Sequence, residues 1–280
     1  MRVLVFGGQG MLGSDLVPII GQHHEVIAPA IDEFDITNRD MVRDKIMASP
    51  PSVVVNCAAY TQVDKAEEDR RQAFAVNAFA AQNLALACAE AGSALCHVST
   101  DYVFDGTRRM STPYDCTGPL NVYGMSKLAG EKMIQWAMSR FYIIRTSWLY
   151  GWHGRNFVEA ILERAAGTDD LRVVYDQVGA PTWSVSLSNA IARLIETDAY
   201  GIYHYTDDAG DGVSWYDFAV EILAQAGIAK NVKPVTTPEF PRPARRPANS
   251  TLDCTLVEML GMRRDDWKHS LKRYIEGRKN

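Results

Sequence analysis

Short apolar runs alternate with longer amphipathic stretches along the first half of the chain. The apolar runs that predict strands are residues 2–6, 25–28, 52–55, 95–99 and 142–144. The helical patterns between them are residues 11–20, 38–47, an Ala-rich region that ends at 91, and about 122–138. Strands without a polar face that are separated by helices are typical of a parallel sheet covered on both sides. The pattern therefore predicts an α/β fold, a Rossmann-like doubly wound parallel sheet.

Local polar signals predict where two of these helices begin. Asn38 stands immediately before an amphipathic stretch and is expected to act as its N-cap. Asp64 and Glu67 have the spacing of a capping box and are expected to open the helical region that ends at residue 91. Pro18 should kink the first helix or lie near its end, because proline cannot donate the helical hydrogen bond.

The second half of the chain has a different pattern. Helical stretches at 157–165, 184–195, 214–226 and 266–277 are separated by short strand patterns at 172–175 and 202–205. The Pro-rich segment 234–247 must be extended or turning. We therefore predict a sheet domain from residues 1–148 and about 170–206. A smaller, mixed C-terminal lobe is expected from about 149–169 and 207–280.

Composition and charge exclude several classes of protein. The net charge of −5 argues against a protein whose whole surface binds nucleic acid. Five cysteines without a C-x-x-C spacing indicate reduced thiols. The first apolar run has fewer than the ~7–15 residues of a signal-peptide core. The apolar stretch 73–89 is interrupted by Asn77, Gln82 and Asn83, so it cannot supply the ~20 residues of a membrane span. A cytoplasmic protein is expected.

Three glycines, Gly7, Gly10 and Gly13, follow the first apolar run and open the first helix. Glycine allows a sharp turn, a close approach of backbone to a pyrophosphate, and tight packing of helix on strand. The N–H groups of the helix start then favour an anion. Tight turns also use glycine for steric reasons alone, but the place between strand and helix favours dinucleotide binding.

The end of the second strand leaves the choice of dinucleotide open. A dinucleotide fold usually carries an acidic residue about 20 positions after the glycines, for the adenosine ribose. Ala30 stands near this place and Asp32 comes slightly late, while no arginine is present to receive a 2′-phosphate. The sequence therefore does not choose between NADH and NADPH, and we expect both to be used.

Tyr123 and Lys127 lie four residues apart in a predicted helix, so they share one face. A nearby cation lowers the pKa of a phenol toward the range in which it can exchange protons at neutral pH. Such pairs are common on surfaces. The hydroxyls of Ser99 and Thr100 add to the signal, because they end a parallel strand where ligands bind.

These features together resemble a known superfamily. The glycine loop, Asn56–Ala59, Ser99-Thr100 and the Tyr123/Lys127 pair, in that order, are similar to the extended short-chain dehydrogenase/reductases. Longer strings are STDYVFDG (99–106), PLNVYGMSKLAGE (119–131), RTSWLYG (145–151), DQVGAPT (176–182) and RPANSTLD (246–253). They resemble the dTDP-4-dehydrorhamnose reductase family over nearly the whole chain.

The resemblance implies a reaction and three catalytic residues. The C4 keto group of dTDP-4-dehydro-β-L-rhamnose would be reduced by NADPH or NADH to dTDP-β-L-rhamnose. Tyr123 would donate the proton to the carbonyl oxygen, and Thr100 would hydrogen-bond that oxygen. Lys127 would hold the nicotinamide ribose and lower the pKa of Tyr123. The sheet domain would bind the dinucleotide and the smaller lobe the substrate.

The resemblance also implies two sets of binding residues. Those for the cofactor are Gly7, Gly10, Met11, Leu12, Gly13, Asp35, Ile36, Ala59, Tyr60, Thr61, Val98, Tyr123 and Lys127. Those for the sugar nucleotide are Thr100, Asp101 and Trp148. Asp101 could instead cap the turn after its strand, and Trp148 could be a core aromatic. No cluster has convincing metal spacing, so no metal is expected, and a homodimer is compatible with the resemblance.

Other polar residues are open to more than one interpretation. Asn56 is expected to secure backbone near the site, and His97 to be a hydrogen-bonded core residue rather than a ligand. The cluster Arg242, Arg245 and Arg246 is either a solvated run of charge or a partner for the substrate diphosphate.

Four alternative functions are compatible with the same fold. A sugar dehydratase would carry Glu after the Thr100-Asp101 pair, where this chain has Tyr102. An epimerase would retain NAD through purification, and a 4-ketoreductase that forms 6-deoxytalose cannot be distinguished by sequence. A regulatory subunit of methionine adenosyltransferase needs no catalytic pair, whereas Tyr123 and Lys127 are both present here.

Overall fold

The computed structural model describes residues 1–30, 34–167 and 170–278. Strands of the first half are β1 (Arg2–Phe6), β2 (Glu25–Ile27), β3 (Val53–Asn56), β4 (Ala94–Thr100) and β5 (Phe141–Thr146). Helices of the first half are α1 (Met11–Gly21), α2 (Arg39–Ala48), α3 (Arg70–Phe74), α4 (Ala80–Ala91) and α5 (Val122–Ala137). One π-helical segment, Ala75–Phe79, joins α3 to α4, and 3₁₀ turns span Lys65–Glu67 and Asp101–Val103.

The second half is built from shorter strands. They are β6 (Leu149–Tyr150), β7 (Leu171–Val174), β8 (Val178–Gly179), β9 (Thr182–Trp183), β10 (Gly201–His204), β11 (Val213–Ser214) and β12 (Val232–Val235). Its helices are α6 (Phe157–Ala165), α7 (Ser184–Leu194), α8 (Trp215–Ala226), α9 (Thr255–Met259) and α10 (Trp267–Gly277). A 3₁₀ turn spans Thr237–Glu239 in the Pro-rich segment.

The central sheet has six parallel strands in the order β10-β5-β4-β3-β1-β2. The chain moves from β1 outward to β2, then crosses back to β3 on the other side of β1. Ligands of doubly wound folds bind beyond the carboxyl ends of the strands at such a reversal. The predicted α/β fold class is confirmed.

Both faces of this sheet are buried, which explains its continuous apolar runs. Side chains alternate along β1, so Val3 and Val5 enter one core while Leu4 and Phe6 enter the other. The first core lies between the sheet and the helices α1 and α7, and the second lies under α2 and α4. We call this layered unit the first lobe.

A third apolar core defines the second lobe, which contains α6, α8 and α10 together with β7 and β12. Leu171 and Val173 of β7 pack there, and β7 pairs with β12 rather than with the central sheet. The chain therefore returns to the first lobe at α7, near residue 184, and not at about 170 as the sequence predicts. The hydrogen-bonding partner of β7, some 60 residues later, determines this boundary.

The two predicted helix starts have different outcomes. Asn38 caps α2, because its side chain accepts hydrogen bonds from the N–H groups of Asp40 and Met41. Asp64 makes no cap hydrogen bond, so the predicted capping box is wrong. Its carboxylate binds arginines of the Pro-rich segment, and Glu67 accepts a hydrogen bond from the N–H of residue 122 instead. Tertiary partners have replaced the local ones at this position.

Pro18 lies inside α1, three residues before its end. None of the helices in the described parts of the chain is long and apolar enough to cross a membrane.

Candidate active site

A cleft of about 960 Å³ lies at the carboxyl ends of the central strands. This volume is at the upper end of the ~300–1,000 Å³ usual for ligand pockets. The predicted site residues that line it are Gly7, Gly10, Met11, Leu12, Asp35, Ile36, Ala59, Tyr60, Thr61, Val98, Thr100, Asp101, Tyr123, Lys127 and Trp148. Of the predicted set, Gly13 is absent from the lining.

The glycine loop, residues 7–13, connects β1 to α1 and forms one end of the cleft. Gly7 has a φ of +76°, and a Cβ there would lie 2.6 Å from the backbone nitrogen of Ala58. Gly13 packs under the loop, where a Cβ would collide with the carbonyl oxygen of Gly7. The first N–H groups of α1, from Met11 onward, have no intrahelical acceptor and adjoin the cleft. The loop can therefore hold an anion such as a pyrophosphate.

The rim of the cleft near β2 bears on the choice of dinucleotide. Pro29 and Ala30 line it, whereas Asp32 lies outside the described residues. The carboxylate of Asp35 accepts hydrogen bonds from the N–H and hydroxyl of Thr37, at 2.8 and 2.7 Å. Arg155 also lines the cleft, and no motif in the sequence pointed to it.

Tyr123 and Lys127 reach the cleft from α5, and Thr100 reaches it from the end of β4. Asn121 caps α5 by accepting a hydrogen bond from the N–H of Gly124 at 2.8 Å. The helix therefore begins immediately before Tyr123, which places the phenol at the first turn. The three residues predicted to be catalytic meet in one cleft.

The pKa of the Tyr123 phenol differs from the one that the sequence predicts. Burial raises its pKa to about 12, while a hydrogen bond with Thr100 lowers the pKa and the charge of Asp101 raises it. A lowering by Lys127 was expected, but the amine of Lys127 donates to the carbonyl oxygen of Val98 at 2.6 Å. Burial also lowers the pKa of Lys127, to about 8. Tyr123 is therefore protonated at neutral pH and able to donate.

Thr100 and Asp101 form a small polar network at the end of β4. The Thr100 hydroxyl donates to Asp101 Oδ1 at 2.8 Å and accepts from the N–H of Tyr102 at 3.2 Å. Thr100 therefore caps the turn, a role that the sequence left open for Asp101. Burial raises the pKa of Asp101 to about 7.

Trp148 lies between the cleft and the second lobe. Its indole lines the cleft and stacks on Trp215, with ring centroids 3.5 Å apart and planes 10° from parallel. Its φ of +47° is uncommon for a residue with a side chain. Trp148 thus packs against the second lobe's core and also lines the cleft. Its position is compatible with both interpretations from the sequence, a core aromatic and a residue that contacts the sugar nucleotide.

The sequence analysis missed Asn77 as a site residue. Its amide accepts from the N–H of Tyr60 at 2.9 Å and donates to the Tyr60 carbonyl and to Ser126 Oγ. It lies in the π-helical segment, a feature frequent at functional sites. Asn77 thus ties the loop after β3 to α5. Its one signal in the sequence is that it interrupts an apolar stretch.

A buried ion pair joins α5 to the central sheet. Glu131 and Arg145 form two hydrogen bonds of 2.9 and 2.6 Å, and both side chains are at most 2% exposed. The hydroxyl of Ser99 donates to Glu131 at 2.6 Å. This contact joins α5 to β4 and β5, the strands that border the cleft.

Asn56 and His97 lie beneath the cleft lining, as expected. Asn56 Oδ1 accepts from the N–H of Ala58 at 3.1 Å, so it secures the backbone after β3. His97 is 1% exposed and lies between Asn56 and Lys127 within hydrogen-bond distance of both.

The basic cluster of the Pro-rich segment is partly paired. Arg242 and Arg246 both bind the carboxylate of Asp64, and Arg245 is exposed. Two of the three arginines therefore connect the second lobe to the loop after β3. Within residues 1–30, 34–167 and 170–278, no group of three or more His, Cys, Asp and Glu side chains could hold a metal ion.

Comparisons with known proteins agree with this geometry. A family model described as "RmlD substrate binding domain" matches residues 1–279. A dTDP-4-dehydrorhamnose reductase of Aggregatibacter actinomycetemcomitans is 41% identical, over 97% of each chain.

Two solved structures, each named a dTDP-4-dehydrorhamnose reductase, are also similar. The one from Clostridium acetobutylicum is 41% identical with a TM-score of 0.96 over 100% of both chains. The one from Bacillus anthracis, solved in complex with NADP, is 35% identical with a TM-score of 0.95 over 99% of both chains. The chain therefore belongs to the family of dTDP-4-dehydrorhamnose reductases.

Proposed function

We propose that the protein reduces the C4 keto group of dTDP-4-dehydro-β-L-rhamnose with NADPH or NADH. The observation that carries the proposal is the meeting of Thr100, Tyr123 and Lys127 in one cleft whose other end is the glycine loop. The family membership supports the same reaction. Homodimer formation and a cytoplasmic location stay predictions.

Tyr123 is the proton donor in this proposal. A phenol with its pKa raised to about 12 keeps its proton until negative charge develops on the carbonyl oxygen. The hydroxyl of Thr100 hydrogen-bonds the phenol and can orient both it and the substrate oxygen.

The cofactor fits the cleft as its residues stand. The glycine loop would hold the pyrophosphate, because the first N–H groups of α1 have no intrahelical acceptor and adjoin the cleft. Asp35 and Ile36 would contact the adenosine end, and Ala59, Tyr60, Thr61, Val98 and Lys127 would contact the nicotinamide end. A bound nicotinamide cofactor would supply the hydride. The described rim residues Pro29 and Ala30 carry no charge, which supports use of both NADH and NADPH, and the Bacillus anthracis relative was solved with NADP.

A dTDP-sugar would bind between the two lobes. Asp101 and Trp148 line the cleft next to the proton donor and would contact the sugar nucleotide. Tyr102 occupies the position where a dehydratase would carry Glu, and burial raises the pKa of its phenol. No carboxylate stands there to catalyse an elimination, which favours reduction.

Product identification tests the proposal. The purified protein is incubated with dTDP-4-dehydro-β-L-rhamnose and each reduced cofactor, and the product is identified by NMR. Oxidation of the cofactor with formation of dTDP-β-L-rhamnose is expected, and the Michaelis constants should differ by less than about a hundredfold, or ~2.7 kcal/mol.

Other outcomes would contradict the proposal in different ways. A 6-deoxytalose product would show that the protein forms the epimer of the expected sugar. NAD that stays bound through purification would favour an epimerase. Absence of turnover together with binding to methionine adenosyltransferase would indicate a regulatory role.

A further inference from the structure

Three buried polar side chains form a continuous row from the end of β3, through β4, to the cleft. Asn56 and His97 are each 1% exposed and Lys127 is 2% exposed. Asn56 Nδ2 lies 3.0 Å from His97 Nδ1, and His97 Nε2 lies 3.2 Å from Lys127 Nζ. Only Lys127 has a role in the reaction proposed above, so the other two need an explanation.

The backbone determines the direction of these hydrogen bonds. The N–H of Ala58 can only donate, so the Asn56 atom that faces it at 3.1 Å must be the oxygen. The amide nitrogen of Asn56 therefore faces His97 Nδ1 and donates to it. Burial holds the pKa of His97 well below its usual value, so the ring is neutral. Its single N–H must then be on Nε2.

The Nε2–H of His97 points at the nitrogen of Lys127. An ammonium group has three donors and no acceptor, so it cannot receive this hydrogen bond. A neutral amine can receive it on its lone pair and still donate to the carbonyl oxygen of Val98 at 2.6 Å. We propose that Asn56 and His97 are positioning residues that favour the uncharged amine of Lys127 in the ligand-free protein.

The other groups around Lys127 do not reverse this preference. Burial is the largest influence and lowers the pKa of Lys127 to about 8, against smaller effects of Glu131 and Cys57 that raise it. Burial raises the pKa of the Cys57 thiol to about 12, so the thiol is neutral. Glu131 is engaged by Arg145, and the phenol of Tyr123, one helical turn away, is protonated.

A lysine held in this way gains and loses its charge near the working pH. This consequence rests on the reductase function proposed above. In that reductase, the row of Asn56 and His97 determines the pH above which Lys127 no longer carries a positive charge beside Tyr123. The tautomer of His97 and the protonation of Lys127 can be measured without turnover, so they test the row separately from the reaction.

Asn56→Asp gives the sharpest test. A carboxylate would accept from both the N–H of Ala58 and the ring of His97, which moves the ring proton to Nδ1 and turns Nε2 into an acceptor for an ammonium. The pKa of Lys127 should therefore rise by about one unit, which corresponds to an acid dissociation constant about tenfold smaller. Asn189→Asp is the matched control, because it adds the same charge at an exposed position on α7.

The tautomer is read by NMR of protein labelled with ¹⁵N-histidine, and His97 is assigned from the spectrum of His97→Gln. Lys127 is titrated in protein labelled with ¹³C,¹⁵N-lysine, and it is assigned from Lys127→Met. We expect protonated Nε2 in the wild type and in Asn189→Asp, and protonated Nδ1 in Asn56→Asp. A wild-type His97 protonated on Nδ1, or an unshifted Lys127 titration in Asn56→Asp, would overturn the proposal.

The wild-type spectrum alone decides the tautomer, so the test survives if Asn56→Asp does not fold. A failure of the proposed reduction would leave both spectra as expected and show only as lack of turnover.

Discussion

Tyr123 depends on the fold to keep its proton, because burial raises its pKa to about 12. Tyr123→Phe should lower kcat by about 10²–10⁴-fold, the usual contribution of a positioned acid. Affinity for NADPH should stay close to that of the wild type, since the glycine loop and Lys127 are unchanged. Steady-state kinetics and a fluorescence titration of the cofactor would measure the two quantities.

Tyr102→Phe is the matched control for this change. The Tyr102 ring packs edge-on against Tyr123, with centroids 5.9 Å apart, but lies outside the cleft lining. Removal of its hydroxyl should leave kcat within a few-fold of the wild type. Equal losses in both variants would show that ring packing, rather than proton donation, explains the effect.

His204 makes the stability of the protein sensitive to acid. It is fully buried beside Arg145, with 3.3 Å between Nη1 and Nε2, and burial followed by the charge of Arg145 lowers its pKa to about 3. The unfolded chain takes up this proton below about pH 6.5, whereas the native state does so only near pH 3. The free energy of unfolding therefore falls as the pH drops through that range.

His204→Gln should remove this sensitivity. Urea unfolding at pH 7.5 and pH 5 should show that the wild type loses about 2 kcal/mol more than the variant over that interval. Burial raises the pKa of Asp101 and of Asp207 to about 7, which stabilises the native state as the pH falls. These two groups are present in both proteins, so the difference between the proteins isolates His204. Equal losses would contradict the assignment.

At the scale of elements, the sequence predicts well where the partner groups are local. The ends of α2 follow from Asn38 and from an amphipathic pattern, and α6 has the predicted bounds 157–165. The capping box at Asp64 fails because its carboxylate binds arginines 178 and 182 residues later. No local rule can include a partner at that distance.

The position of α5 depends on the buried pair of Glu131 and Arg145. Glu131→Gln leaves the guanidinium buried without its counter-charge, which should destabilise the protein by about 3–5 kcal/mol. Urea unfolding at neutral pH measures this loss. The control is Glu90→Gln, which breaks a solvent-exposed pair with Arg43 and should leave the unfolding midpoint near that of the wild type. Similar losses in both variants would contradict a special role for the buried pair.

At the scale of the whole molecule, the two lobes are joined beside the cleft by Asp64. Its carboxylate binds Arg242 at 2.7 Å and also Arg246, and it accepts from the N–H of Ala244 at 3.2 Å. Asp64→Asn should therefore loosen the Pro-rich segment. Hydrogen exchange in peptides that cover residues 237–247 should become several-fold faster, while exchange in β3 and β4 stays unchanged.

Asp265→Asn is the control for this experiment, since it weakens an ion pair with Arg273 inside the second lobe. It should leave exchange at residues 237–247 unchanged. Unaltered exchange in Asp64→Asn would show that other contacts hold the segment.

The site could be predicted from short sequence motifs, because the residues of the glycine loop are close to each other in the chain, and so are Tyr123 and Lys127. Contacts across the fold were not predictable in this way. Asn77 reaches Ser126 over 49 residues, and His97 reaches Lys127 over 30. The second of these contacts changes the expected electrostatics of the site, because the amine of Lys127 is engaged by His97 and by the carbonyl oxygen of Val98.

The stacked indoles of Trp148 and Trp215 give the protein a built-in optical reporter. Two indoles at 3.5 Å couple their strong electronic transitions and produce a paired band in far-ultraviolet circular dichroism. Trp148 lines the cleft, whereas Trp215 belongs to α8 of the second lobe. A sugar nucleotide that separates the two rings would abolish the couplet, so closure or opening of the cleft could be followed in solution without any added dye.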